Sequence, residues 1–142
     1  MIYLVGSLRN ERVPLIGNIL REAGFDVFDD WHGAGPTADD EWQRYEQTRG
    51  RSYEQALAGY AAENTFNFDL RNITRATAGV LVTPAGRSAH LELGYLIGSG
   101  KPGYVLFDTP PERWDVMYLF ARSVHFSVET LLAQLHREPW TV

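Results

Sequence analysis

The 142-residue chain contains no cysteine, which excludes disulfides, thiol nucleophiles and thiolate metal ligands. Lysine is almost as scarce: of the 13 basic residues only Lys101 is a lysine, so a Schiff-base mechanism would rest on a single side chain. There is also no basic cluster, and the net charge is −5. Binding a long nucleic acid calls for grouped Lys and Arg that displace counterions from phosphates, so the expected partner is a small molecule. No apolar run approaches the roughly 20 residues that cross a bilayer, and no membrane association is expected. Met1 to Gly6 (M-I-Y-L-V-G) lacks a basic leader and reads as a strand rather than a signal peptide. The cytoplasm is the expected location.

Apolar residues at 44% and charged residues at 22% suit an ordinary globular domain, here read as a single unit over residues 1–142. Strands are expected at 2–6, 25–29, 79–83, 103–107 and 124–126. Helices are expected at 10–23, 39–48, 51–62, 64–76, 89–99, 111–122 and 127–137. The most convincing central strand is G-V-L-V-T at 79–83, apolar without alternation as a strand buried on both faces should be. Strands alternating with helices predict an α/β fold, a flavodoxin-like or Rossmann-like domain with a five-stranded, mostly parallel sheet and helices on both faces. A helical and loop insertion occupies about 31–62. Ligands of such sheets bind beyond the carboxyl ends of the strands, where strand order reverses. That rule selects four segments: Gly6-Ser7-Leu8-Arg9, Asp29-Asp30-Trp31, Pro84 to His90, and Asp108.

Several familiar motifs fail on inspection. G-Y-L-I-G-S-G-K at 94–101 has the wrong spacing for a phosphate loop, and its lysine ends a helix instead of starting one. No G-x-G-x-x-G follows the first strand. His32, His90, His125 and His136 show no metal-ligand spacing, so neither a metal nor a cofactor is implied. G-R-S-A-H at 86–90 falls where a nucleophile elbow would lie, but His90 stands where that elbow needs glycine. Ser88 is better read as an N-cap or a phosphate donor.

The segment G-R-S-A-H-L-E-L-G-Y at 86–95 places Glu92 in about the first turn of a helix that points into the expected site. There the helix dipole and free N–H groups favour a charged carboxylate, a competent nucleophile toward an oxocarbenium-like sugar carbon. Spacing alone favours an ordinary exposed helix glutamate. Asp69 lies in a helix leading into the central strand, and the end of that helix should sit away from the ligand face. Tyr3, inside the first strand, fits a core aromatic.

Taken together, Y-L-V-G-S at 3–7, N-F-D-L at 67–70 before an apolar strand, and S-A-H-L-E-L-G-Y-L-I-G-S-G-K at 88–101 resemble the nucleoside 2-deoxyribosyltransferase family. That family includes the deoxynucleoside 5′-monophosphate N-glycosidases. The resemblance implies a five-stranded parallel sheet and cleavage or transfer at an N-glycosidic bond. It implies Glu92 as the nucleophile that attacks C1′, Asp69 as a carboxylate supporting sugar and nucleophile, and Tyr3 as the hydroxyl that steadies Glu92. Gly6 and Ser7 match first-loop backbone beneath the substrate, and Arg9 resembles an early arginine of the monophosphate glycosidases. One departure stands out: the transferases carry an aspartate at the position of Gly86, placed to protonate the leaving base. Arg87 and Ser88 beside it suit an anion at a helix N-terminus, and His90, Asp30 or water remains to supply the proton. A non-catalytic nucleotide sensor on the same fold and a Ser88 hydrolase are the alternative readings.

Two further expectations concern the surroundings. Trp31, with Trp42 and Tyr45 three residues apart on a helix, could stack on a base as part of a lid. The stretch W-D-V-M-Y-L-F-A-R at 114–122 reads as a helix apolar on more than one side, the mark of a buried element or a partner contact. Together with the resemblance, this predicts a homo-oligomer whose site is completed by a neighbour.

Overall fold

A computed structural model describes residues 1–139. Five parallel strands form one sheet: β1 (Ile2–Val5), β2 (Val27–Phe28), β3 (Ala78–Val82), β4 (Gly103–Leu106) and β5 (Ser123–His125), in the order β2-β1-β3-β4-β5. The order reverses between β1 and β3, and this is the switch point where such sheets place ligands. β3 is buried at every position and pairs with β1 and β4 through residues 78–82, as its uninterrupted apolar run requires.

The alternation of side chains along these strands sorts the core into two layers. Ile2, Leu4, Val80, Val82, Tyr104 and Leu106 pack against α1 (Arg12–Glu22) and α6 (Val128–Arg137) through Val13, Ile16, Leu20, Leu131 and Leu135. Tyr3, Val5, Leu81, Val105 and Phe107 face the other way, onto Ile73, Ala89, Leu93 and Leu96. Those four residues belong to α4 (Tyr60–Arg75) and α5 (Arg87–Gly98). The close seating of α5 depends on Gly79, where a Cβ would lie 2.3 Å from the Leu96 side chain. Leu96 is itself fully buried and has no room to yield, so residue 79 has to be glycine.

The insertion expected at 31–62 is a short 3₁₀ turn (Asp30–Ala34) followed by α2 (Ala38–Thr48) and α3 (Tyr53–Leu57). The helical stretches expected at 51–62 and 64–76 are divided differently. Ser52 and Gln55 close a capping box that starts α3, the break falls at Ala58–Gly59, and α4 then runs unbroken from Tyr60 to Arg75.

The helix expected at 111–122 does not form. Only a 3₁₀ turn, Val116–Phe120, is present, with Asp115 accepting the Met117 N–H at 2.8 Å. Pro110 and Pro111 would be tolerated in a first turn; the helix is interrupted by the extended backbone of Asp115, whose side chain caps the turn instead, and ended by that of Ala121. The apolar side chains of this segment therefore stay outside: Val116, Leu119 and Phe120 are 70%, 79% and 68% exposed. Among the described residues no helix is long and apolar enough to cross a membrane.

Candidate active site

Three residues distant in sequence meet on the α4/α5 side of the switch point. Tyr3 projects from β1 and is completely buried, its ring stacked on Phe28 at 5.4 Å. Glu92 is in the second turn of α5, not the first, because that helix starts at Arg87. Asp69 is six residues before the end of α4. At ~1.5 Å per residue, that places it roughly 9 Å back along the helix, beside the middle of the sheet instead of below it. This offset brings Asp69 within electrostatic reach of both Glu92 and Tyr3.

The chemistry of the three groups follows from their shared burial. Desolvation, reinforced by the Asp69 charge, pushes the Glu92 carboxyl up from its ordinary 4.5 to about 7, against a lowering by the Tyr3 hydroxyl. Helix dipoles act chiefly over the first turn, so in the second turn burial outweighs them and holds the Glu92 carboxyl well above its ordinary range. Burial also raises Asp69. Tyr3 is raised first by burial and then by the two carboxylates, so it remains a hydrogen-bond donor. Its hydroxyl is sealed from solvent and lacks a fully formed hydrogen bond among the described residues, yet it lies close enough to Glu92 to favour the charged carboxylate. A buried hydroxyl in that condition costs about 1–3 kcal/mol, and a small shift of Glu92 toward it would relieve that cost.

Ser88 lies four residues before Glu92, on the same stripe of α5 and one turn nearer its N-terminus. Gly86 is the residue that caps the helix, without a side-chain hydrogen bond, so Ser88 is not the N-cap. Gly86, Arg87 and Ser88 are all exposed at the mouth of the site. Arg9 is exposed too and pairs with Asp40 of α2 at 3.0 Å. The Ser7 hydroxyl accepts the Arg9 N–H at 3.1 Å and so shapes the loop after β1. Gly6 lets that loop pass close to its neighbours, since a Cβ there would lie 2.9 Å from Val13 Cγ2.

Other expected site residues are not brought together with Glu92. His90 is two positions from Glu92 and hence on nearly the opposite side of α5. Its Nδ1–H donates to the Gly86 carbonyl at 2.7 Å, and its Nε2 meets the Tyr118 hydroxyl at 2.9 Å. Both ring nitrogens are thus engaged away from the carboxylates. Asp30 is exposed at the start of the 3₁₀ turn after β2. Trp31 is anchored, its indole N–H donating to the Leu4 carbonyl at 2.7 Å while the ring packs on both core layers. Trp42 meets Tyr53 edge-on at 6.4 Å, whereas Tyr45 is exposed beneath the Arg49 guanidinium. Asp108 pairs with Arg12 at 2.8 Å. Among the described residues no group of three or more acidic or histidine side chains is placed to hold a metal ion.

An apolar cavity of about 370 Å³ opens on the far side of α5, between His90, Leu93, Ile97 and the 115–121 segment. It lies away from the Glu92–Asp69 pair and has no charged group of theirs in its lining.

No family model matches the sequence, and no curated protein matches it. The fold does have a solved counterpart. A structure from the characterization of a 2-deoxyribosyltransferase of the psychrotolerant bacterium Bacillus psychrosaccharolyticus superposes with a TM-score of 0.66. The alignment covers 99% of this chain and 93% of that one, at 17% identity. The chain therefore has the α/β fold of that deoxyribosyltransferase across its whole described length.

Proposed function

We propose that this protein cleaves or exchanges the N-glycosidic bond of a 2′-deoxyribonucleoside or its 5′-monophosphate through a covalent deoxyribosyl–Glu92 intermediate. The observation that carries the reading is the meeting of Tyr3, Asp69 and Glu92, from three separate elements, in one desolvated corner at the switch point. Two coupled carboxylates suit a reaction whose sugar passes through an oxocarbenium-like state. A Glu92 oxygen bonds to C1′ while the C1′–N bond breaks and its electron pair leaves with the base. The base takes up one proton. A ring nitrogen of a second base, or water, then attacks C1′ and gives up one proton, balancing the one the departing base took; the C1′–O bond breaks, and the Glu92 carboxylate is restored. Asp69 opposes the positive charge that develops on the sugar, and Tyr3 holds the carboxylate that attacks.

The substrate's 5′ end would point toward the N-terminus of α5. There Ser88, Arg87 and the free backbone N–H groups suit a phosphate, with Arg9 joining them once it leaves Asp40. Because Gly86 has no side chain, His90 is turned away and Asp30 stands apart on the 3₁₀ turn, the proton for the leaving base comes from water. The exposed 114–120 segment is the proposed contact with a second copy that completes the site, and the working form is a homo-oligomer in the cytoplasm. A Ser88 hydrolase has little to stand on, since both nitrogens of the nearest histidine are already bonded elsewhere.

The test is chromatography of reactions with deoxynucleosides and deoxynucleotides, with and without an acceptor base. Free base without acceptor identifies hydrolysis, and a new nucleoside identifies transfer. Glu92→Ala should lower either rate by several orders of magnitude; more than about a tenth of the rate remaining would end the assignment.

A further inference from the structure

Apart from those on α5, the residues assigned to substrate contact lie on three loops: 6–11 after β1, 29–35 after β2 and 84–86 after β3. One buried residue touches all three. Asn10 is 9% exposed, and its main chain closes the first loop, its N–H donating to the Ser7 carbonyl at 3.0 Å. Its side-chain oxygen accepts the Arg12 N–H at 3.0 Å, fixing the start of α1. Its side-chain amide donates to the Pro84 carbonyl at 3.4 Å, reaching the loop after β3. Its own carbonyl accepts from His32 Nε2 at 3.0 Å, tying in the loop after β2. β1 and β3 are neighbours, but beyond their ends nothing in the sheet ladder fixes one loop against another. Asn10 supplies that link at the level where the substrate would sit.

We infer that Asn10 is a positioning residue, which sets the distance between the Ser7–Arg9 loop and the Pro84–Arg87 turn and so aligns the substrate with Glu92. The catalytic consequence rests on the proposed function, whereas the joining of the loops does not. Asparagine is suited to the task because one end of its amide accepts and the other donates. Aspartate has the same shape but no donor. Asn10→Asp keeps the bond to the Arg12 N–H and sets a carboxylate oxygen against the Pro84 carbonyl. Asn10→Ser keeps an acceptor and is too short to reach Pro84.

Hydrogen exchange and steady-state kinetics on the full chain test the two parts separately. In Asn10→Asp, exchange should quicken together at the Asn10 amide, bonded to the Ser7 carbonyl, and at the His90 amide, bonded to the Gly86 carbonyl of the turn, while the strands keep their protection. Turnover should fall about tenfold or more, since small misplacements near a reacting bond are costly. KM should stay within about threefold, and the acid limb of the pH–rate profile should not move, because the Tyr3–Asp69–Glu92 group is untouched. Asn10→Ser should repeat this pattern if the aspartate variant does not fold. Unchanged exchange at the His90 amide would overturn the inference, as would turnover within twofold of wild type. If wild type turns over no deoxynucleoside or deoxynucleotide, the functional reading falls, and the exchange experiment still decides whether Asn10 joins the loops.

Discussion

Replacing Glu92 by glutamine should abolish turnover and, above neutral pH, make the protein more stable. Glu92 has a folded-state pKa of about 7 against its ordinary 4.5, chiefly through burial and then through the Asp69 charge. A carboxyl whose pKa is raised by folding binds its proton more tightly in the native state. Its contribution is neutral below about 4.5, turns unfavourable as pH rises toward 7, and levels off above that. The gap corresponds to roughly 3 kcal/mol at ~1.4 kcal/mol per tenfold change in proton affinity. Glutamine cannot ionise, so it escapes that cost and keeps a similar shape. For a chain of this length a gain of this size raises Tm by roughly 5–10 °C. Calorimetry at pH 8 should show that increase, and at pH 4.5 the two proteins should melt within about 2 °C of each other. His125, buried and lowered in pKa, costs both proteins stability below about 6.5 alike and cancels in the comparison. A Tm gain that ignores pH, or a loss at pH 8, would refute the view of Glu92 as a strained, desolvated acid.

The same ionisation should govern catalysis: kcat/KM should fall as pH drops through about 7, and Tyr3→Phe should move that limb upward because the hydroxyl favours the charged carboxylate. A wild-type limb near 4.5 would contradict this. Arg9, Arg87 and Ser88 should make kcat/KM higher for a 5′-monophosphate than for the nucleoside, with charge-assisted hydrogen bonds contributing roughly 1.5–3 kcal/mol each; equal values would return Arg87 to the solvated surface. Trp31→Ala should raise KM and also lower Tm, since it deletes both the bond to Leu4 and core packing; an unchanged KM would make it scaffold alone. Light scattering with size exclusion should give a multiple of 16.1 kDa, and a fully active monomer would remove the shared site.

Much of this fold could be read from the residues because its signals are local and strong. The apolar run at 79–83 marks the central strand, and alternating strands and helices predict the five-stranded parallel sheet. Apolar spacing predicts a helix at 111–122, but extended backbone at Asp115 and Ala121 confines it to a single 3₁₀ turn. Asp69 is hard to place from sequence because the end of α4, not its body, is the reference: the helix must be seen to run on to Arg75 before its six-residue setback carries Asp69 up the sheet. The His90 side chain is two positions from Glu92, and sequence proximity hides the opposite direction it takes around the helix. Asn10 carries no motif at all: its importance lies in three hydrogen bonds to segments 2, 22 and 74 residues away, which only the folded chain brings into reach.

Helix α5 has two faces with different work, and the division explains why its sequence mixes small, apolar and charged residues. Toward the switch point it offers Ser88 and Glu92. Toward the 115–121 segment it offers His90, Gly94 and Ile97, and the apolar cavity lies between them. The Gly86 carbonyl, at the cap, accepts both the His90 backbone N–H at 3.3 Å and the His90 ring at 2.7 Å. The far face is thereby fastened to the turn that would hold a substrate anion. Because Leu96 is wedged against Gly79, the helix has little freedom to slide on the sheet. A neighbour seated on Val116, Leu119 and Phe120, as proposed, would press on Tyr118 and His90 and through them on the cap of the helix that bears Glu92. Assembly and nucleophile are then joined by one rigid element, so a substitution on the exposed segment should be felt at a carboxylate it never touches.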